Sequence, residues 1–405
     1  MALDIGLNDY RKYLRRSFEA MIAEGLSVVA IDQDNEEVIG CLIVSDFHRH
    51  ISPSFNGDSK FAPLAALTSE LCAQYQLYRS INSGEAILVD MGAMSSNASG
   101  KGIYQQMRSF VQENAKQLGF KSDISKADMV FWGIPYDLSV TNRPGTRFGP
   151  RGIRAAATNL SWEGGPWPWG FDPFETLNAV DYGDCYFDPG HPMEILDAIY
   201  KEASDILAHD PFLISMGGDH SVAYPLVKAH SEKHGPVALI QIDAHSDTWE
   251  EGEKRIDHGT MFYHAAKEGL IDTEHSIQLG MRTSNAKTHG FNVFDANWIH
   301  LNGVLATIEK IKEIVGDRPA YLTFDIDALD PAFAPGTGTP VCGGLSTWQA
   351  QTIVRGLIDV DIVGMDLVEV SPPYDHAEIT ALAAASLLLD FVCLRKARLD
   401  HIADK

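Results

Sequence analysis

The sequence has no long apolar run. Nothing in it approaches the roughly 18 residues that a membrane span requires. Met1 to Arg16 alternates charged and apolar residues where a secretory signal would carry an apolar core. Cysteine is scarce: the five present, Cys41, Cys72, Cys185, Cys342 and Cys393, are odd in number and form no CxxC pair. That pattern excludes a disulfide framework and a cysteine-based zinc site. Positive charge is also short, with 32 Lys and Arg against 55 Asp and Glu and a formal net charge of −23. Such a surface repels nucleic-acid phosphates and anionic membranes, so neither is an expected partner. Small organic cations and metal ions are compatible with it. A reducing cytoplasm is the expected compartment. Internal repeats and low-complexity tracts are absent as well.

What is present reads as globular. At 45% hydrophobic and 21% charged residues, the 405-residue chain has ordinary composition and a length that suggests two or three domains. Residues 1–121 hold 11 Lys and Arg against 14 Asp and Glu, so nearly all of the acidic surplus lies beyond them.

The first third reads as a small α+β unit. Leu14, Phe18, Met21 and Ile22 recur at helical spacing and predict an amphipathic helix over 9–24. Residues 26–31 and 38–44 are β-branched runs around a polar turn, which predicts a hairpin. A helix over 63–79 and a strand over 86–91 follow. Asn97-Ala98-Ser99-Gly100-Lys101-Gly102 then opens a helical stretch over 103–118. A glycine-rich turn at a helix start can hold phosphate oxygens on backbone N–H groups, and it can equally be a plain helix-start turn. Together with the hairpin, this turn resembles the acetyl-CoA loop of GNAT-type acetyltransferases. The resemblance implies acetyl-CoA contacts at Asn97, Gly100 and Gly102. Asn97 stands where that family has Gln or Arg, and the family's last strands have no counterpart after Gly119-Phe120, so the unit reads as incomplete.

From Asp128 the pattern becomes alternating strands and helices. Strands are expected at 129–134, 178–182, 212–216, 237–242, 276–280, 320–325 and 362–368, and helices notably at 192–208, 222–234, 303–315 and 346–358. Such alternation predicts a mostly parallel α/β sheet covered on both faces, with ligands beyond the carboxyl ends of its strands. The polar joint 121–126 marks the expected boundary, dividing the chain into domains 1–121 and 122–405.

Three of the expected strands end in potential metal ligands. The first runs into Gly217-Gly218-Asp219-His220-Ser221, the second into Asp243-Ala244-His245-Ser246-Asp247, and the third into Asp325-Ile326-Asp327, with Asp330-Pro331 beyond. A spacing of two along extended chain turns Asp325 and Asp327 to one side, and likewise Asp243, His245 and Asp247. With His220, these groups can converge on one spot. Carboxylates packed so densely repel one another unless cations sit among them. Two divalent ions sharing bridging carboxylates meet that need. An oxygen and nitrogen donor set without thiolate suits manganese, with nickel or cobalt also compatible. Turns and N-caps explain any one segment equally well, but not all three together, because they do not require the histidines.

These three motifs resemble the signatures of the ureohydrolase superfamily, which includes arginases, agmatinases and their relatives. Asn142-Arg143-Pro144-Gly145-Thr146-Arg147-Phe148-Gly149-Pro150, Asp257-His258-Gly259-Thr260-Met261-Phe262-Tyr263-His264 and the stretch from Ala332 to Pro340 resemble its bacterial agmatinase branch. The resemblance spans about 128–395. It implies a three-layer α/β/α fold behind the GNAT-like unit, and a homo-oligomer, trimer or hexamer. It also implies two Mn2+ ions, one on His220, Asp243, Asp247 and Asp325, the other on Asp243, His245, Asp325 and Asp327. A hydroxide held between the ions would attack the guanidinium carbon of a small cationic substrate. His258 would shuttle the proton to the leaving amine, and Glu369 would hold the guanidinium. The expected reaction is hydrolysis of agmatine to putrescine and urea. The alternatives are another guanidino hydrolase, acting on guanidine or guanidinobutyrate, and from a different class a polyamine acetyltransferase.

Other residues invite attention. Arg143, Arg147 and Arg154 are expected to fix loops or subunit contacts, and Trp162, Trp167 and Trp169 to pack in the core or at an interface. His264 reads as structural, and His230, His234, His275 and His289 as surface residues. The loop 249–257 holds four acids against two bases, so a substrate carboxylate is expected to meet negative potential there.

Overall fold

The structure is a computed structural model that describes residues 28–31, 38–46, 87–94, 124–160, 165–188, 190–250 and 255–403. The chain divides into two units, Met1–Asp123 and Ile124–Lys405. In the first, strands β1 (Val28–Ile31), β2 (Val38–Asp46) and β3 (Ile87–Met94) form an antiparallel sheet in the order β1-β2-β3. The expected hairpin and the strand near 86–91 correspond to these. The expected helices of this unit, and Asn97, Gly100 and Gly102, lie outside the described residues.

The second unit alternates strands and helices. In chain order they are β4 (Met129–Gly133), α1 (Gly149–Ala157), β5 (Ala179–Asp184), α2 (Ile195–Leu207), β6 (Phe212–Met216), α3 (Ala223–His234), β7 (Ala238–Ile242) and α4 (Met261–Lys267). Then come β8 (Ile277–Met281), β9 (Asn292–Asp295), α5 (Ala296–Val315), β10 (Ala320–Asp325), α6 (Thr347–Arg355), β11 (Ile362–Val368) and α7 (Ile379–Ala403). The eight strands form one parallel sheet in the order β5-β4-β6-β11-β10-β7-β8-β9.

Alternate residues of each central strand feed opposite cores. Ile214, Ile240, Leu322 and Leu367 pack with Ile153, Ile299, Ile353 and Phe391 from α1, α5, α6 and α7. Leu213, Leu239, Tyr321 and Val368 pack with Ile199, Leu226 and Phe262 from α2, α3 and α4. Burial on both faces is why these strands read as near-continuous apolar runs. No described helix is long and apolar enough to cross a membrane.

Three differences from expectation have physical causes. The helix expected from 303 begins at Ala296, because Gly303 (φ 83°) interrupts α5 and hides its first turns from the periodicity. The 25-residue α7 was not foreseen: its run Ala381-Leu382-Ala383-Ala384-Ala385-Ser386-Leu387-Leu388-Leu389 is apolar all round and carries no stripe. His230 is a buried residue and not a surface one. It is 1% exposed, with Nδ1 against the Leu226 carbonyl and its ring edge-on to Tyr321.

Candidate metal centre and active site

The four central strands, β6, β11, β10 and β7, are neighbours, and their carboxyl ends deliver the candidate residues to one place. The turn after β6 depends on glycine: a Cβ on Gly218 would lie 1.6 Å from the Tyr136 carbonyl oxygen. That close approach sets the turn carrying His220.

Two groups of side chains converge there. One ligand atom from each of His220, Asp243, Asp247 and Asp325 lies within 4.8 Å of the others, and the same holds for Asp243, His245 and Asp327. Asp243 belongs to both groups. Asp325 belongs to the first alone, because its Oδ1 accepts the Asp327 N–H at 2.8 Å while Oδ2 faces His220. Hydrogen bonds fix three of the four carboxylates, those of Asp243, Asp325 and Asp327. Asp243 accepts from Gln241 Nε2 (2.8 Å) and the His245 N–H (2.6 Å), and Asp327 accepts from the Ala244 N–H (3.1 Å). Asp247 holds a positive φ of 52°, a strained backbone for a non-glycine residue.

His220 shows how the groups fit a cation. Thr323 donates its hydroxyl proton to Asp366 Oδ1 (2.6 Å), so its oxygen must accept from His220 Nε2 (2.7 Å). Asp366 is held in turn by the Tyr321 hydroxyl (2.8 Å). The ring therefore turns Nδ1 into the cluster, 2.9 to 3.2 Å from Asp247, Asp243 and Asp325. Nδ1 nevertheless meets hydrogen-bond geometry with none of them. A nitrogen 2.9 to 3.2 Å from three carboxylates and without a hydrogen-bond partner fits a site that could hold a cation.

The electrostatics agree. Burial, with help from Asp243, lifts the Asp247 pKa to about 7, and burial with Asp327 and Asp243 pushes Asp325 well above the carboxylate range. Against the opposing effect of burial, Asp327 and Asp243 lift His245 to about 12. Without metal, the cluster must hold protons to offset its charge, and metal binding would release them.

Beside the cluster stands Glu369, just past β11, also at positive φ (63°). Its Oε1 accepts from the His220 N–H (2.9 Å) and faces His258 Nδ1 (3.1 Å). Its Oε2 is buried and has no partner. Burial opposes charge on His258, but Glu369 outweighs it and lifts the pKa to about 9. At the other side of the ring, Thr141 places its N–H 3.1 Å and its hydroxyl 3.0 Å from Nε2.

A cavity of about 240 Å³ opens beside the cluster and His258, lined by Thr141, His245, Asp247, Trp249, Arg255, Asp257, His258, Asp325 and Thr339 among others, with Glu369 buried behind this lining. The described part of the loop 249–257 differs from expectation. Glu250 pairs with Lys287 (2.5 Å) and Asp257 with Arg255 (2.7 Å), so these acids are locally compensated. Residues 251–254, Lys254 included, lie outside the described set. The arginines singled out from sequence hold loops: Arg147 pairs with Asp137, and Arg154 with Asp181 and Asp184, while Arg143 stacks over Tyr374 at 5.1 Å. Trp169 donates its Nε1–H to Asp390 in the interior, whereas Trp167 is 87% exposed. His264 is buried against Tyr263.

Thr141, Thr323 and Asp366 went unrecognised in the sequence. Thr323 was legible in principle, since it precedes Asp325 by two on the same strand and shares its face. Thr141 lies in an irregular loop 117 residues from His258 and has no local signature.

Comparison with known proteins follows the same outline. Residues 127–393 match the arginase family. An agmatinase from Chromobacterium violaceum is 53% identical over 295 residues, covering 72% of this chain and 90% of that protein. Among solved structures, a hypothetical agmatinase from Burkholderia thailandensis superposes with a TM-score of 0.68 at 54% identity, covering 69% of this chain and 89% of that one. A proclavaminate amidino hydrolase from Streptomyces clavuligerus gives 0.63 at 38% identity, covering 67% and 92%.

Proposed function

Because the chain belongs to the arginase family and is a ureohydrolase, we propose that it hydrolyses agmatine to putrescine and urea with two manganese ions. The observation that carries this reading is the pair of His/Asp groups sharing Asp243, set beside a buried carboxylate oxygen, Glu369 Oε2, that lacks a partner. His220, Asp243, Asp247 and Asp325 would hold one ion, and Asp243, His245 and Asp327 the other, with a turn of Asp325 adding it to the second. When bound, the ions supply Lewis acidity that brings the pKa of water towards neutrality.

The side chains then divide the remaining work. Glu369 Oε2 accepts guanidinium N–H groups, whose planar paired donors suit a carboxylate. His220 and His258 hold Oε1, so the free oxygen keeps its orientation. His258, charged at neutral pH through Glu369, protonates the leaving amine. An unpaired acid left beside the ions would lose its guanidinium partner in a substrate of any other class.

Three features support agmatine. The relatives named agmatinase are about half identical to this chain over most of their length. The one Lys or Arg among the described lining residues, Arg255, is tied to Asp257, which leaves a substrate carboxylate poorly matched. The Trp249 indole lines the cavity and offers an aromatic surface to a distal ammonium. A second reading, another guanidino substrate, is favoured by the likeness to the proclavaminate amidino hydrolase. Incubation of the manganese-loaded protein with agmatine tests the proposal: urea and putrescine should form in equal amounts, and absence of both contradicts it.

For residues 1–121 we propose an incomplete acetyltransferase-like unit with weak or absent acetyltransfer, a reading compatible with the antiparallel β1-β2 pairing; tight stoichiometric binding of acetyl-CoA in a calorimetric titration would contradict it. A cytoplasmic homo-oligomer is likewise proposed. The exposed Leu301, Leu305 and Trp348 on the adjoining helices α5 and α6 support self-association, and light scattering tests it.

A further inference from the structure

His258 is held at both nitrogens, and the two contacts differ in kind. Nδ1 faces inward to Glu369 Oε1 at 3.1 Å. Nε2 faces outward to one residue, Thr141, which approaches it with both its N–H (3.1 Å) and its Oγ1 (3.0 Å). Thr141 is exposed, on the loop between β4 and α1, and lines the mouth of the cavity.

A backbone N–H can only donate, so it stabilises the ring when Nε2 carries a lone pair. A hydroxyl can accept, so Oγ1 stabilises the ring when Nε2 carries a proton. A single residue therefore satisfies His258 in either state without moving the ring. An ordinary hydrogen-bond partner would favour one tautomer and oppose the other.

We propose that Thr141 is the outer half of a proton relay, its hydroxyl connecting His258 Nε2 to solvent while its N–H parks the neutral ring. This rests on the reading of His258 as proton carrier. In the inward direction, a hydronium ion or a protonated buffer molecule gives a proton to Oγ1 as the hydroxyl passes its own to Nε2, leaving water or the buffer base in solvent. The imidazolium then gives its Nδ1 proton to the leaving amine of the substrate held at Glu369, forming the ammonium and leaving a neutral ring with Nε2–H donating to Oγ1. Reset is the reverse: a proton taken up at Nδ1 is matched by one leaving Nε2 through the hydroxyl. Thr141 and His258 end as they began, and charge balances at each stage.

Thr141→Val keeps the N–H and the shape but removes the hydroxyl, whereas Thr141→Ser keeps both groups. General acid–base groups contribute about 10²–10⁴-fold, and water can partly replace a relay hydroxyl, so the expected loss is roughly tenfold or more in kcat. KM for the guanidino substrate and metal content should be little changed. Thr141→Ser should restore kcat, and added imidazole buffer should partly rescue Thr141→Val. His258→Asn separates this inference from the reading beneath it. If Thr141 acts through His258, the double variant is no slower than His258→Asn alone. Normal kcat in Thr141→Val, a loss confined to KM, an equal loss in Thr141→Ser, or additive losses in the double variant would each overturn the relay while leaving His258 as carrier. Undiminished kcat in His258→Asn would remove the carrier and the relay together.

Discussion

The two walls of the cavity are built on different principles. The inner wall consists of strand ends: His220, Asp243, His245, Asp247, Asp325 and Asp327 stand at or just past the ends of β6, β7 and β10, and all but His245 are almost wholly buried. The outer wall consists of loops: Thr141, Trp249, Arg255 and Asp257 come from connections between elements, and its charges are paired on the spot. The inner wall concentrates charge that bound protons or metal ions must balance, and the outer wall cancels its own. On the proposed reading, chemistry would belong to the first and choice of substrate to the second.

Asp243 is the sharpest point of that contrast, since both ligand groups include it. Asp243→Asn should reduce bound manganese from two ions to one or fewer and lower turnover by about a thousandfold, the scale of several kcal/mol of Lewis-acid stabilisation. Metal analysis showing two tightly held ions with near-normal turnover would break the distinction between the walls.

His258 bridges them. His258→Asn should lower kcat by at least about a hundredfold with both ions retained. Loss of metal in that variant would instead mean that the histidine belongs to the inner wall.

The inner wall was largely legible in the sequence because its acids and histidines crowd the residues just beyond apolar strands. The shared extended face expected of a spacing of two is not how they converge, since 243–247 bend away after β7 and Asp327 lies in the 3-10 turn Ile326–Ala328. The parallel sheet was legible for a related reason: strands buried on both faces read as continuous apolar runs bounded by turns. Gly303 and the evenly apolar α7 defeated the helix pattern, because one breaks the periodicity and the other has none. The outer wall was poorly legible. The spacing of Thr141 from His258 encodes nothing, and the acids near residue 250 read as surplus negative charge because their partners, Lys287 among them, are distant or unpredictable in direction.

A smaller effect probes how the inner wall is aimed. Thr323→Val removes the oxygen that receives His220 Nε2–H, and should weaken manganese binding roughly ten- to hundredfold, with Thr323→Ser restoring it. Equal affinity in all three proteins, measured by titration, would show that the ring needs no such anchor.

The smallest predicted effect is one of pH. A carboxyl whose pKa is raised keeps its proton until the pH passes that value, and Asp247, at about 7, must lose its proton to bind metal. Manganese affinity should therefore rise between pH 6 and 8 by at least about tenfold per proton released. A flat profile by isothermal titration would argue that the cluster is already deprotonated at pH 6.

The most direct test of the division between the walls is substrate choice at constant chemistry. Catalytic efficiency of the manganese-loaded protein should be measured with agmatine, arginine, guanidinobutyrate and guanidine, following urea. Agmatine should exceed each of the others by more than about tenfold, a margin that one unfavourable contact of ~1.4 kcal/mol suffices to create. Equal or better efficiency with arginine or guanidinobutyrate, or turnover of guanidine alone, would contradict it.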